Sequence, residues 1–307
     1  TLDKLESIQG FTTGLSLEKF KKLVKKNHCA LIGQTKSIAP ADKILYAIRD
    51  VTGTVESIPL ITASILSKKV AEGAKSLVMD VKTGNGAFMN TPEKSKALAQ
   101  SIVEVGSKLG LKVSGFVTDM NEPLGQFVGH ALEIKECISM LRGEKTEDRF
   151  FNLTVKLGEE MLRVAGKDPN LFRVHLENGN GFEAFCRITK DQGGNVKQLE
   201  KPTLLKVAKK VLLVKAKKNG WLQSVHTKNL GMLLIELGGG RKKVTDKIDH
   251  SVGYEICKRV GDKVESGETL VKIFTHEANS KFVKNIQDQY LISDVHIGKN
   301  EIISCKI

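Results

Sequence analysis

Three side chains suited to ligand chemistry lie close together in the chain. They are Arg49, Ser64 and Lys68, in the stretch PADKILYAIRDVTGTVESIPLITASILSK at 40–68. Ser64 and Lys68 are four residues apart, so a helix stacks them on one face, one turn above the other. Ile58, Leu60, Ile61, Ala63, Ile65 and Leu66 supply apolar surface around them. Two cations and a hydroxyl at an apolar edge suit a planar, polar, partly anionic ligand. A plainer reading uses the same residues. Lys68 and Lys69 fall near a helix end, where cations meet the helix dipole favourably. Ser64 can bond back to a main-chain carbonyl, and Arg49 can pair with Asp50 or Glu56.

The elements that would hold these groups follow from pattern. Residues 16–27 read as an amphipathic helix with Leu17, Phe20, Leu23 and Val24 on one face. ALIG at 30–33 reads as a short buried strand. Pro40 fits the first turn of a helix running to about Val51. The next helix covers 57–72 and stops near Gly73. SLVMDV at 76–81 is almost continuously apolar, as expected of a strand covered on both faces. A helix at 92–109, a strand at 112–118 and a helix at 130–142 follow. This alternation predicts a layered α/β domain. Helices are expected over 146–164 and 168–177, and the chain turns β-rich near 203. There, strands flank the turn Asn219–Gly220, and two glycine turns punctuate 260–275. The latter pattern resembles the small β barrel of biotinyl and lipoyl carrier domains. Those domains carry a modified lysine at a hairpin tip, where this chain has Glu265–Ser266, so a structural module is expected instead.

Composition narrows the function classes. The chain has 307 residues, 40% of them hydrophobic and 27% charged, enough for two domains with real cores. No apolar run reaches membrane-spanning length, and the start TLDKLESIQG lacks a signal-peptide pattern. Cys29, Cys137, Cys186, Cys257 and Cys305 are scattered with no CxxC pair, which reads as reduced thiols in a cytoplasmic protein. The histidines show no metal-ligand spacing. The formal net charge of +13 favours anionic ligands. Lysines gather at 18–26, 197–218 and 241–247, and a solvated surface is the simplest account of them. One Trp and three Tyr give few stacking platforms, which speaks against nucleic acid as a partner.

Five segments then speak together. YAIRDVTGTVESIPLITASILSKK resembles the base-binding signature of thymidine and pyrimidine-nucleoside phosphorylases. TLDKLESIQGF, LIGQTKSIAPADK, VMDVKTGNGAFM and MNEPLGQFVGHALEIKE resemble that family too, in the same order. The likeness is close over 1–145 and looser beyond. It implies an α/β layered sheet-and-helix domain at 1–200 with remnants of a small helical domain. The helical segment 36–72 would contribute the base pocket, and a C-terminal α+β, β-rich module would occupy 201–307. The implied reaction is reversible phosphorolysis: thymidine or uridine plus phosphate gives free base and pentose 1-phosphate, with no organic cofactor. By resemblance, Arg49 and Lys68 meet the base oxygens, Ser64 bonds the ring edge, Tyr46 lines the pocket and Thr1 helps bind phosphate. Some bacterial members bind a cation, and the positions that match its ligands are Leu124, Phe127 and Glu136, with potassium as the candidate ion. The glycine loop at 84–86 matches no Walker or Rossmann fingerprint. A homodimer is the implied assembly. The family's Lys-His-Ser phosphate loop lies before the TLDKLES segment and is not found in these residues. The expectation is therefore a truncated form with an incomplete phosphate site. The alternative is a non-catalytic paralogue that binds a pyrimidine or a full-length subunit.

Overall fold

The computed structural model describes residues 1–33, 39–42, 44, 45, 54, 56–144, 146–243 and 245–307. These pack as two compact units, each assembled from non-consecutive segments. One comprises Thr1–Gly33, Asn121–Phe151 and His175–Asn300; the other Gln34–Met120, Asn152–Val174 and Glu301–Ile307. The α/β expectation holds, with sheets and helices mixed in sequence and in space.

In the unit that contains Ser64 and Lys68, strand β1 (Ser76–Thr83) runs parallel to β2 (Lys112–Asp119), with Ser76 opposite Lys112 and Thr83 opposite Asp119. A parallel pair needs a crossover, and the helix Pro92–Lys108 provides it. Thr91 caps that helix by accepting the Lys94 N–H at 3.4 Å, and Pro92 occupies its first turn. Its apolar stripe, Leu98, Ala99 and Ile102, packs on Val81 and Val117 of the strands. Gly106 permits the close approach, since a Cβ there would lie 2.6 Å from Val113 Cγ2. Strand β10 (Ile303–Lys306) adds antiparallel to β2. Lys306 anchors it by donating to the buried Glu160 carboxylate at 2.7 Å.

The other unit holds two antiparallel sheets. One has the order β3 (Phe127–Val128), β6 (Gly253–Ile256), β8 (Thr269–Thr275), β4 (Lys210–Lys215). The second has the order β7 (Lys263–Val264), β5 (Gly220–Val225), β9 (Tyr290–Ser293). Leu222, Tyr254, Val271, Ile273 and Ile286 are fully buried between them and the helix Ser280–Gln287. The strands either side of Asn219–Gly220 do not pair with each other: β4 pairs with β8, and β5 with β7 and β9. The helix Leu17–Asn27, capped by Ser16, and the helix His130–Leu141 also match their expected spans.

Residues 30–33 do not form the expected strand. A buried side chain does a neighbouring strand's work. Gln192, 1% exposed, accepts the Leu31 N–H at 2.8 Å and donates from Nε2 to the carbonyls of Leu31 and Thr12 at 2.8 and 2.9 Å. With the Leu31 N–H and carbonyl satisfied by Gln192 and the Gly33 N–H on the Thr13 carbonyl, these groups need no ladder. The helix expected from Pro40 is helical at Pro40–Asp42, and most of its remainder lies outside the described residues. No described helix is long and apolar enough to cross a membrane. Basic residues of the three stretches form surface ion pairs: Lys22 with Glu18, Lys26 with Asp191, Lys217 with Asp288, and Arg241 with Asp3.

Candidate active site

The helix Ile58–Ala71 starts with Pro59 in its first turn. It ends where Gly73, at φ 76°, turns the chain so that Gly73 N–H reaches Val70 O and Ala74 N–H reaches Lys69 O. Its buried residues are Thr62, Ser64 and Leu66. Residues two apart on a helix point about 200° from each other, so two opposite faces are occupied. One face docks on the crossover helix. Thr62 Oγ1 lies 2.9 Å from Ser101 Oγ, and Leu66 enters the cluster with Ile102 and Val81. The other face carries Ser64 and Lys68.

Lys68 Nζ donates to Ser64 Oγ at 2.9 Å and to Asp42 Oδ2 at 2.6 Å. An ammonium only donates, so Ser64 is the acceptor in that contact and keeps its own hydrogen and a second lone pair for another partner. Among the described residues, two of the three Lys68 protons are engaged and one has no partner. The Lys68 side chain is 28% exposed and Asp42 is 9% exposed, so the ion pair is largely desolvated yet open on the lysine side. A carboxylate so close holds the ammonium in one position.

Ser64 and Lys68 are thus brought together as the spacing predicts. Arg49 and Tyr46 lie outside the described residues. Asp42 went unrecognised in the sequence. Its signal was an acidic residue at the start of the Pro40 helix, inside the stretch 40–68 quoted above for Arg49, Ser64 and Lys68.

The remaining expected residues lie in the other unit. Thr1 is exposed and precedes the short helix Leu2–Leu5, and its carbonyl accepts the N–H groups of Lys4 and Leu5. Glu136 is buried on the helix His130–Leu141 and faces the loop that carries Leu124 and Phe127. Its Oε1 accepts the Gln126 N–H at 2.7 Å and its Oε2 the Phe127 N–H at 3.3 Å. Burial pushes the Glu136 carboxyl above its ordinary range, and those two N–H bonds oppose the shift. The Leu124 carbonyl faces Arg259, whose Nη2 lies 3.3 Å away. No cluster of three or more His, Cys, Asp or Glu side chains suited to a metal occurs among the described residues.

Comparison with known proteins decides the family. Residues 1–173 match the model of the glycosyl transferase family a/b domain, and residues 221–293 match the pyrimidine nucleoside phosphorylase C-terminal domain. The chain belongs to the thymidine and pyrimidine-nucleoside phosphorylase family. It is 44% identical over 318 residues to a thymidine phosphorylase of Rhizobium meliloti, a match covering 100% of this chain and 72% of that protein. It is 44% identical over 285 residues to a pyrimidine-nucleoside phosphorylase of Staphylococcus haemolyticus, covering 91% of this chain and 66% of the relative. A pyrimidine-nucleoside phosphorylase of Staphylococcus aureus is 40% identical over 301 residues, covering 96% of this chain and 69% of its own length. The Ser64–Lys68 helix falls within the first matched domain, and the two-sheet core falls largely within the second.

Proposed function

We propose that the protein catalyses reversible phosphorolysis of pyrimidine nucleosides, with thymidine or uridine and phosphate giving the free base and pentose 1-phosphate. The observation that carries this reading is the Asp42–Lys68–Ser64 cluster, within a chain of this family. When the bond to N1 breaks, negative charge grows on the ring and spreads to its carbonyl oxygens. The remaining Lys68 proton suits one of those oxygens, and Ser64 has a donor and an acceptor left for the ring edge. Such contacts strengthen as the charge develops, so they lower the barrier rather than merely tighten binding. Arg49 is proposed for the other base oxygen, Tyr46 for the pocket wall and Thr1 for phosphate. A homodimer in the cytoplasm, and modules at 1–200 and 201–307, belong to the same proposal. Potassium at Leu124, Phe127 and Glu136 does not: a guanidinium already addresses the Leu124 carbonyl, so no step is assigned to a metal ion.

The assay is release of thymine or uracil from nucleoside and phosphate, followed chromatographically. Lys68→Ala is expected to lower the rate about 10²-fold or more, with Ser64→Ala less severe. Nucleoside binding with no base release would instead favour a pyrimidine-binding protein. An active protein indifferent to Lys68→Ala would remove the base-pocket assignment.

A further inference from the structure

The loop leading to β3 folds around one side chain, Arg259, which comes from the segment between β6 and β7. Its Nη1 donates to the Pro123 carbonyl, and its Nη2 donates to the carbonyls of Leu124 at 3.3 Å and Gly125 at 2.6 Å. Three consecutive carbonyl groups therefore converge on one cation. The Arg259 side chain is only 11% exposed. Glu122 Oε2 lies 3.6 Å from Nη1 and Glu147 Oε1 lies 3.7 Å from Nε. The Glu122 carboxylate, 3% exposed, also lies 3.7 Å from Arg149, so the charges form a buried network rather than a single pair.

A potassium ion bound here would gather carbonyl oxygens and offset a carboxylate. The guanidinium already does both, with planar, fixed donors that a spherical ion lacks. Glu136 is committed as well, with each oxygen accepting a main-chain N–H. Its carboxylate also lies against the Gly125 backbone, where a Cβ would come within 2.4 Å of Oε2. A second positive charge on the Leu124 carbonyl would sit close to the first and be repelled by it.

We infer that Arg259 is a built-in replacement for the monovalent cation at this loop, so the loop needs no potassium to hold its fold. The loop's carbonyls are organised by a covalently attached charge, whose occupancy does not vary with the ionic composition of the solution. The inference depends on the loop and not on the phosphorylase reading, and its test needs no turnover.

Thermal unfolding of the full chain is measured in potassium chloride, sodium chloride and choline chloride at matched ionic strength. The wild-type protein is expected to melt at the same temperature, within about 2 °C, in all three; a shift of this size corresponds to roughly 1 kcal/mol or less. Arg259→Ala is expected to melt lower in choline and to regain part of the loss in potassium, because the vacated space is lined by carbonyl and carboxylate oxygens. Arg259→Lys keeps the charge without the fork, and it guards against an alanine variant that does not fold. It is expected to fall between the two and to respond weakly to potassium. Selective stabilisation of the wild type by potassium would overturn the inference. So would an Arg259→Ala protein as stable as wild type in choline chloride.

Discussion

Replacing Gly106 by alanine tests how tightly the candidate site is coupled to the core beneath it. Alanine in a helix interior is favoured over glycine by about 1 kcal/mol, so propensity alone predicts a more stable protein. The structure predicts the reverse. The new Cβ would stand 2.6 Å from Val113 Cγ2 and 3.5 Å from Leu66 Cδ2. The first distance is far inside contact range and its partner is a stiff β-branched side chain, so the crossover helix must move. Overpacking of this kind costs about 1–3 kcal/mol, which leaves a net loss of up to about 2 kcal/mol after the propensity gain. Val113→Ala removes the obstructing methyl groups and alone costs about 1–2 kcal/mol. The double variant should be more stable than the sum of the two losses predicts, by about 1–2 kcal/mol. Urea unfolding of the four proteins measures this coupling. Base release measured alongside should fall in Gly106→Ala and recover in the double variant, because Leu66 lies on the helix that carries Ser64 and Lys68. Strict additivity, or a Gly106→Ala protein stabilised by the full propensity gain, would refute the packing argument.

Other outcomes follow from the same structure. Gln192→Leu keeps the volume of a fully buried side chain but strands the three main-chain groups it serves, so a loss of about 2–5 kcal/mol is expected in denaturant unfolding, with faster amide exchange at Leu31. Thr83 is 4% exposed and its hydroxyl has no hydrogen-bond partner among the described residues; Thr83→Val should be neutral or stabilising by up to about 1 kcal/mol in thermal unfolding, and a clear loss would refute that reading. Asp249 is pulled towards a higher pKa by burial, but hydrogen bonds from Ser251 and the nearby His276 hold it below the ordinary aspartate range. A depressed carboxyl stabilises the fold above its unfolded pKa and loses that contribution as pH falls through the folded value. Asp249→Asn should therefore lie below wild type by a few tenths to about 1 kcal/mol at pH 7, and converge with it as acid takes the pH below the ordinary aspartate range and through the depressed folded value.

Local signals announced most of the elements. The Thr91–Pro92 start and the apolar stripe through Leu98 and Ile102 mark the crossover helix, and the apolar run 76–81 marks β1. Ser64 and Lys68 were legible because helical spacing alone puts them on one face. What escaped were partners distant in sequence. Asp42 lies 26 residues from Lys68, and no local pattern links them. Leu31 and Gln192 are 161 residues apart, so a short apolar run beside a glycine looked like a strand when a glutamine side chain was its true neighbour. Periodicity found β4 and β5, but not that each pairs elsewhere. Arg259 sits in a glycine-punctuated turn that read as scaffold, and only its approach to three carbonyl groups gives it a role.

The contact between Lys68 and Asp42 carries a consequence for selectivity. An ammonium with a carboxylate at 2.6 Å presents little net charge to an approaching molecule. Abundant small anions, which a bare lysine would collect without discrimination, gain almost nothing by docking against such a neutralised couple. A neutral ring with well-placed oxygens is not at that disadvantage, and it benefits more as electrons accumulate on it. Under the proposed function, the aspartate would work as a filter, keeping the lysine idle among common solutes and responsive to a departing heterocycle.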